Sequence, residues 1–412
     1  MPSKPQFVGE RVRLDELLLD TFSGEWGTEE GESLTPVLRT SNFNEDGSLD
    51  YSTPAMRCIP ERKVAKKRMV RGDIILEKSG GTPKRPVGIM AFYDSDELAL
   101  CSNFNQVLRF DEDRILPRFA FHQLRWLKDR NAFDRFTRKT TGLQNLQMKK
   151  LIELKLHVPQ IEAQTMIADT LDKIVDSQRN LQREIIDLDS LVKSRFVDMF
   201  GDPDSNPYGL EVRPLGKVLS VQPSNGLYKP QKDYVNDASG TPIIRIDSFR
   251  SEGPDYGSLK RLNCNESECR RYGISENDIV INRVNSVGCM GKTMLVAHIP
   301  EVTVFESNMM RLHSDEALMV PAFLCAQMTS EFSKSYFEAN AKRAIGQASI
   351  NQKDVKGLPV LVPTINNQKA YLSFATQVDK SRFVDLGNER NEFFLILQFG
   401  QRNVQFLQEK YF

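Results

Sequence analysis

Little in this sequence points to chemistry of its own. Its six cysteines, at 58, 101, 264, 269, 289 and 325, form no C-x-x-C pair. That excludes a zinc ribbon or a redox dithiol and fits the reduced thiols of an intracellular protein. The four histidines (122, 157, 298 and 313) make no H-E-x-x-H and no pair at helical spacing, so no metal site is expected. Lys and Arg number 55, as do Asp and Glu, and a chain with no net charge advertises no partner through its overall field. The best apolar stretch, residues 317–326, is broken by Pro321 and falls far short of the roughly 20 residues of a membrane span. With the polar start Met1-Pro-Ser-Lys-Pro5, the expectation is a cytoplasmic protein with no membrane contact.

Apparent motifs fail on spacing. Gly288-Cys-Met-Gly-Lys-Thr293 resembles the end of a phosphate-binding loop, but Ser286 stands where the opening glycine is needed. Asn206-Pro-Tyr208 lacks the second proline of an adenine-methyltransferase loop. Pro254-Asp255 has no Glu-x-Lys at nuclease spacing. No catalytic residue and no cofactor are therefore expected.

What the sequence does contain is a repetition. At an offset of 204, Gly142 falls on Gly346, Lys149 on Lys353, Leu154 on Leu358, Val158 on Val362, Pro159 on Pro363 and Gln164 on Gln368. Earlier blocks repeat in the same order: Thr35-Pro-Val-Leu-Arg39 with Thr241-Pro-Ile-Ile-Arg245, Gly72-Asp-Ile-Ile-Leu76 with Asn277-Asp-Ile-Val-Ile281, and Ser102-Asn103 with Ser307-Asn308. Each copy is long enough to bury its own core. The short apolar runs 73–76 and 278–281, bounded by turn residues, read as strands, with helices between them at 118–134 and 321–341. The fold class is mixed α/β (α+β), in two copies related by an internal pseudo-two-fold.

A long helix closes each copy. Ile167, Leu171, Ile174, Leu181, Ile185, Leu188 and Val192 recur in steps of four and three, with Gln178 completing the stripe; this is the seam of a coiled coil. The helix opens after Pro159 and stops at Gly201-Asp-Pro203, which makes a rod of about 60 Å at 1.5 Å per residue. A weaker stripe, Phe393, Leu397, Val404 and Leu407, is interrupted by Gly387 and Gly400. Two rods in one chain pack most simply on each other, antiparallel. The expected divisions are 1–159, 160–200, 201–363 and 364–412.

Charge is uneven along the chain. Residues 1–60 hold 5 Lys and Arg against 11 Asp and Glu, whereas 61–155 hold 21 against 12. Basic runs occur at 66–71 and 135–139 and, in the second copy, at 260–261, 270–271 and 342–343. Such runs suit phosphate, though a solvated face is the commoner explanation.

A globular region, a proline opening a long helix with Gln164 or Gln368 inside it, and the phrase Leu191-Val-Lys-Ser-Arg-Phe-Val-Asp-Met-Phe-Gly-Asp-Pro203 together resemble the specificity subunit of Type I restriction-modification systems. The resemblance implies that each globular region is a target-recognition domain reading half of a bipartite double-stranded DNA sequence. It also implies an antiparallel helical spacer that docks two methyltransferase subunits, with restriction/translocase subunits completing the assembly. Under that resemblance the strand-end loops are one candidate reading site: Lys78, Ser79, Lys84 and Arg85, then Asn282, Arg283, Asn285 and Lys292. The turns before the last repeated block are the other: Arg138, Lys139, Thr140 and Gln144, then Lys342, Arg343, Gln347 and Ser349. Arg suits guanine and Asn or Gln suits adenine. Two other readings stay open: a single-chain DNA methyltransferase or nuclease with a cryptic site, and a coiled-coil scaffold without DNA specificity.

Overall fold

Each copy is built around a strand with no polar face: Ile74–Glu77 and Ile279–Asn282 are buried along their whole length. A strand covered on both sides has no reason to alternate, which is why both read as continuous apolar runs. The computed structural model describes residues 9–384 apart from 84, 141–142, 236, 238, 249–252, 286–289 and 345–346. The described chain forms two compact units, 9–183 and 184–384. The expected second seam at Phe393, Leu397, Val404 and Leu407 lies outside the described residues. Among the described residues no helix is long and apolar enough to cross a membrane.

In the first unit the central antiparallel sheet runs Leu18–Ser23, Asn105–Phe110, Ile74–Glu77, Met90–Phe92. In the second it runs Leu219–Asn225, Met309–Ser314, Ile279–Asn282, Thr293–Leu295. The turn feeding each central strand is left-handed, at Gly72 (φ 96°) and at Asn277 (φ 68°). Asn is among the few non-glycine residues that tolerate this region, so the substitution between copies is conformationally conservative. A lateral sheet also recurs: Leu34–Leu38 lies between Ala55–Cys58 and Leu100–Cys101, as Thr241–Ile244 lies between Lys260–Leu262 and Val304–Phe305. The ends of each domain are tied by an antiparallel pair, Glu10–Arg13 with Lys155–Val158 and Val212–Pro214 with Pro359–Leu361. Pro117 opens the helix Pro117–Asp129, and Pro321 opens Pro321–Met328, each where a missing N–H costs nothing. A further helix, Glu331–Asn340, follows in the second unit.

The first long helix spans Ile161–Phe200. It ends at Gly201, whose left-handed backbone (φ 69°) returns an N–H to Val197. Ile167 and Leu171 are buried in the core of the first unit beside Leu124 and Phe121. Val192 packs on the core of the second, where Phe196 and Phe200 meet Phe323 and Tyr371. Ile174, Leu181, Ile185 and Leu188 are half-buried. The second helix covers Ile365–Val384.

Each helix is joined to its own domain by a glutamine. Buried Gln164 accepts the Leu116 N–H (2.8 Å) through Oε1 and donates through Nε2 to the Pro159 carbonyl (2.8 Å). Buried Gln368 accepts the Val320 N–H (2.8 Å) and donates to the carbonyls of Pro363 (2.8 Å) and Leu318 (2.9 Å). A primary amide donates from one end atom and accepts at the other while staying uncharged, which suits it to hold an N–H and a carbonyl together.

The first helix has an ionic tie as well. Asp172 receives His122 Nε2 at 2.8 Å and Arg118 Nε at 2.6 Å. Burial holds the His122 imidazole below its usual pKa, so folding favours the neutral ring and the unfolded chain binds the extra proton. Stability is then fully present above the unfolded value near 6.5 and is lost as the pH falls below it, by up to about 1.4 kcal/mol per pH unit. Thermal melts between pH 7.5 and 5.5 should show this slope, and His122→Gln should remove it. An unchanged slope in that variant would assign the effect to other groups.

Candidate nucleic-acid interface

The two candidate segments of each copy, far apart in sequence, meet in one small sheet. Thr137–Thr140 and Leu143–Leu146 form a hairpin whose second strand pairs with Ser79–Gly81, directly after the central strand. Lys342–Ala344 and Gln347–Ser349 form the equivalent hairpin, paired with Val284–Asn285. The joint is the same in both: the Leu146 N–H donates to the Lys78 carbonyl (2.7 Å) and the Ile350 N–H to that of Arg283 (2.9 Å). Register then makes Arg138 the counterpart of Lys342 and Lys139 that of Arg343, since Arg138 faces Asn145 as Lys342 faces Ser349. One strand of each hairpin therefore carries two cations in matched positions.

Exposure sorts the candidates. Arg85, Arg138, Lys292, Lys342, Arg343 and Gln347 are exposed, and Ser79, Arg283, Asn285 and Ser349 are half-buried. Lys84 is outside the described residues, and for Lys139 and Thr140 only the backbone is described. Arg85 stands 3.6 Å from the buried carboxylate of Glu77. Half-buried Lys78 reaches Ser23 Oγ and Gln106 Oε1 (3.3 Å), and burial lowers its pKa. Arg283, its counterpart, donates to the Ser307 carbonyl at 2.9 Å.

Two candidates belong to the interior. Asn282 is 1% exposed, because the central strand runs one residue past the apolar run and Asn282 is its last paired residue, opposite Met309. Gln144 is 7% exposed, on the hairpin strand between Lys139 and Gly81. Both side chains are buried within their domains. Glu77 occupies the Asn282 position in the first copy and is also buried; desolvation raises its pKa.

The turn entering the second sheet strand was paired wrongly in the sequence. Ser102-Asn103 and Ser307-Asn308 look equivalent, but the hydrogen bonds close otherwise. The Asn105 N–H returns to Ser102 (2.9 Å) and the Met309 N–H to Glu306 (3.1 Å). Asn103-Phe104 thus corresponds to Ser307-Asn308, an equivalence of Phe104 with Asn308 that the identity match concealed.

Comparison with known proteins agrees with this duplicated architecture. The model of the Type I restriction modification DNA specificity domain matches residues 35–188 and again 207–392. A protein of Methanocaldococcus jannaschii assigned as the MjaX type I restriction enzyme specificity subunit is 28% identical over 174 residues, 42% of this chain and 40% of that protein. The EcoKI specificity subunit of Escherichia coli K12 is 23% identical over 350 residues, 81% of this chain and 73% of that one. The solved S subunit of a Type I restriction-modification system from M. genitalium has the same fold, with a TM-score of 0.58 at 14% identity, covering 100% of this chain and 98% of that one. With both halves of the repeat matched, the chain belongs to the family of Type I restriction-modification DNA specificity subunits.

Proposed function

We propose that the chain reads an asymmetric, two-part double-stranded DNA target, one part with each domain, and spaces the parts with its helices. As a member of its family it supplies sequence recognition to a restriction-modification complex and is not itself the catalyst. The observation that carries the two-part reading is the recurrence of one basic hairpin on one strand end with different side chains: Arg138 and Ser79 in the first copy, Lys342 and Val284 in the second, with Asn285 one residue further on. Matched cations suit phosphates, which fix register and are alike in every sequence; unmatched neighbours suit base edges, which are not. The divisions at 159, 200 and 363 follow, as does a complex with two methyltransferase subunits, one per copy, and with restriction/translocase subunits.

The test is to co-express the chain with the methyltransferase subunit of its own locus and map methylated adenines by single-molecule sequencing. An interrupted, asymmetric motif is expected. A stable complex that methylates no defined motif would overturn the reading.

The half-buried stripe Ile174, Leu181, Ile185 and Leu188 supports a helix seam as the spacer. Leu181→Asp with Leu188→Asp places two charges in that half-buried seam, where a charge taken partly out of water without a partner is unfavourable. Size-exclusion chromatography should show the complex lost and methylation with it. Wild-type methylation in this double variant would mean that the stripe has no partner.

A further inference from the structure

We infer that the turn residues Phe104 and Asn308 each read a base: Phe104 touches a thymine methyl in one half-target, and Asn308 takes an adenine edge in the other. This rests on the two-part reading above and names two of its reading positions.

The two residues occupy one place in the fold. The Phe104 carbonyl accepts the N–H groups of Lys78 (3.0 Å) and Ser79 (3.2 Å), and the Asn308 carbonyl accepts the N–H of Arg283 (2.9 Å). Main-chain bonds therefore fasten each turn to the strand end that carries the basic hairpin. Arg138 lies on the far strand of that three-stranded sheet, about 10 Å from Ser79 at the usual interstrand spacing. A phosphate contact at Arg138 and a base contact at Phe104 are thus within reach of one duplex segment, since a major groove is about 12 Å wide.

The side chains at this place are not there for the fold. Phe104 is 54% exposed, beside the left-handed Gly80 (φ 100°), whose missing Cβ would lie 3.9 Å from the ring. An aromatic ring left half in water gives up much of the stabilisation its burial would bring. The second copy builds the same turn with an exposed Asn308, so the turn itself does not need a ring. Phenylalanine has no hydrogen-bonding group for a base edge, and in the major groove the thymine methyl is the feature that matches its apolar surface. Asparagine offers the donor–acceptor pair that fits adenine N7 and N6. The two copies therefore present different chemistry at one geometric position, as two unlike half-targets require.

Methylated-adenine maps of the wild-type, Phe104→Asn and Asn308→Phe complexes test this. Each variant should keep its melting temperature and its partners and alter one base position in one half-target, with discrimination there falling about tenfold or more. A duplex carrying deoxyuridine for thymidine at the position read by residue 104 should bind the wild-type complex more weakly and the Phe104→Asn complex unchanged. A wild-type bipartite motif reproduced unaltered by both variants overturns this inference alone. Loss of partner binding instead of a changed motif also overturns it and makes the turn a protein contact. Absence of any bipartite motif in the wild type overturns the two-part reading as well.

Discussion

Gly226→Ala will sharply lower the melting temperature of the second domain, and Gly24→Ala that of the first. Gly226 lies against the carbonyls of Phe305 and Glu306, and Gly24 against those of Cys101 and Ser102; a Cβ at either position would fall inside 3.0 Å of main-chain oxygen. No side chain can swing away to make room, so the lateral sheet must part from the edge of the central one. Overpacking of this kind costs about 3 kcal/mol or more. For a domain of this size that is a drop of roughly 6–12 °C in melting temperature, a large share of an ordinary folding free energy of about 5–15 kcal/mol. Gly257, where an added Cβ would meet only Asp255, at 3.5 Å, among the described residues, is the control, and Gly257→Ala should melt like the wild type. Differential scanning calorimetry reads all three. An unshifted transition in Gly226→Ala would mean that the chain passes that point with more space than these distances allow.

Gln368→Ala should have an effect of comparable size, with Gln164→Ala close behind it. Truncating Gln368 leaves the Val320 N–H and the Leu318 and Pro363 carbonyls without their partner. A fully buried group stranded in this way costs about 1–3 kcal/mol; the Pro363 bond is buried and the other two are part-buried, so a loss of about 4 kcal/mol is expected. Gln164→Ala strands two groups, the Leu116 N–H and the Pro159 carbonyl, for about 3 kcal/mol. Gln368→Glu is the sharper probe. A carboxylate can still accept from Val320 but repels both carbonyls, so at neutral pH it should rescue little, and acidification should restore part of the loss. Hydrogen exchange at the Val320 amide reports the joint directly. Protection there equal to wild type in Gln368→Ala would show that the amide is held by something else.

Much of this was legible in the sequence. The repeat, the two buried central strands and the matched glutamines all follow from position and residue type. The stop at Gly201 was equally plain, because a left-handed helix end has a strong residue preference. The target-reading face was less so. Strand pairings such as Ser79 with Asn145 join residues more than sixty positions apart, and nothing local in either segment encodes its partner. Asn282 read as a loop residue because polarity suggested the strand had ended, whereas its pairing with Met309 continues the ladder. Phe104 escaped notice because an identity match set the register one residue off, and only the hydrogen bonds of the turn correct it.

The glutamine joints carry a consequence for how such a protein can change over generations. Both grip the neighbouring segments by main-chain N–H and C=O alone, groups that every residue except proline offers in full. A fastening indifferent to the side chains it holds puts no brake on their drift. Mutations can accumulate across a reading face, and the preferred target can move, while each domain stays attached to its helix in the same way.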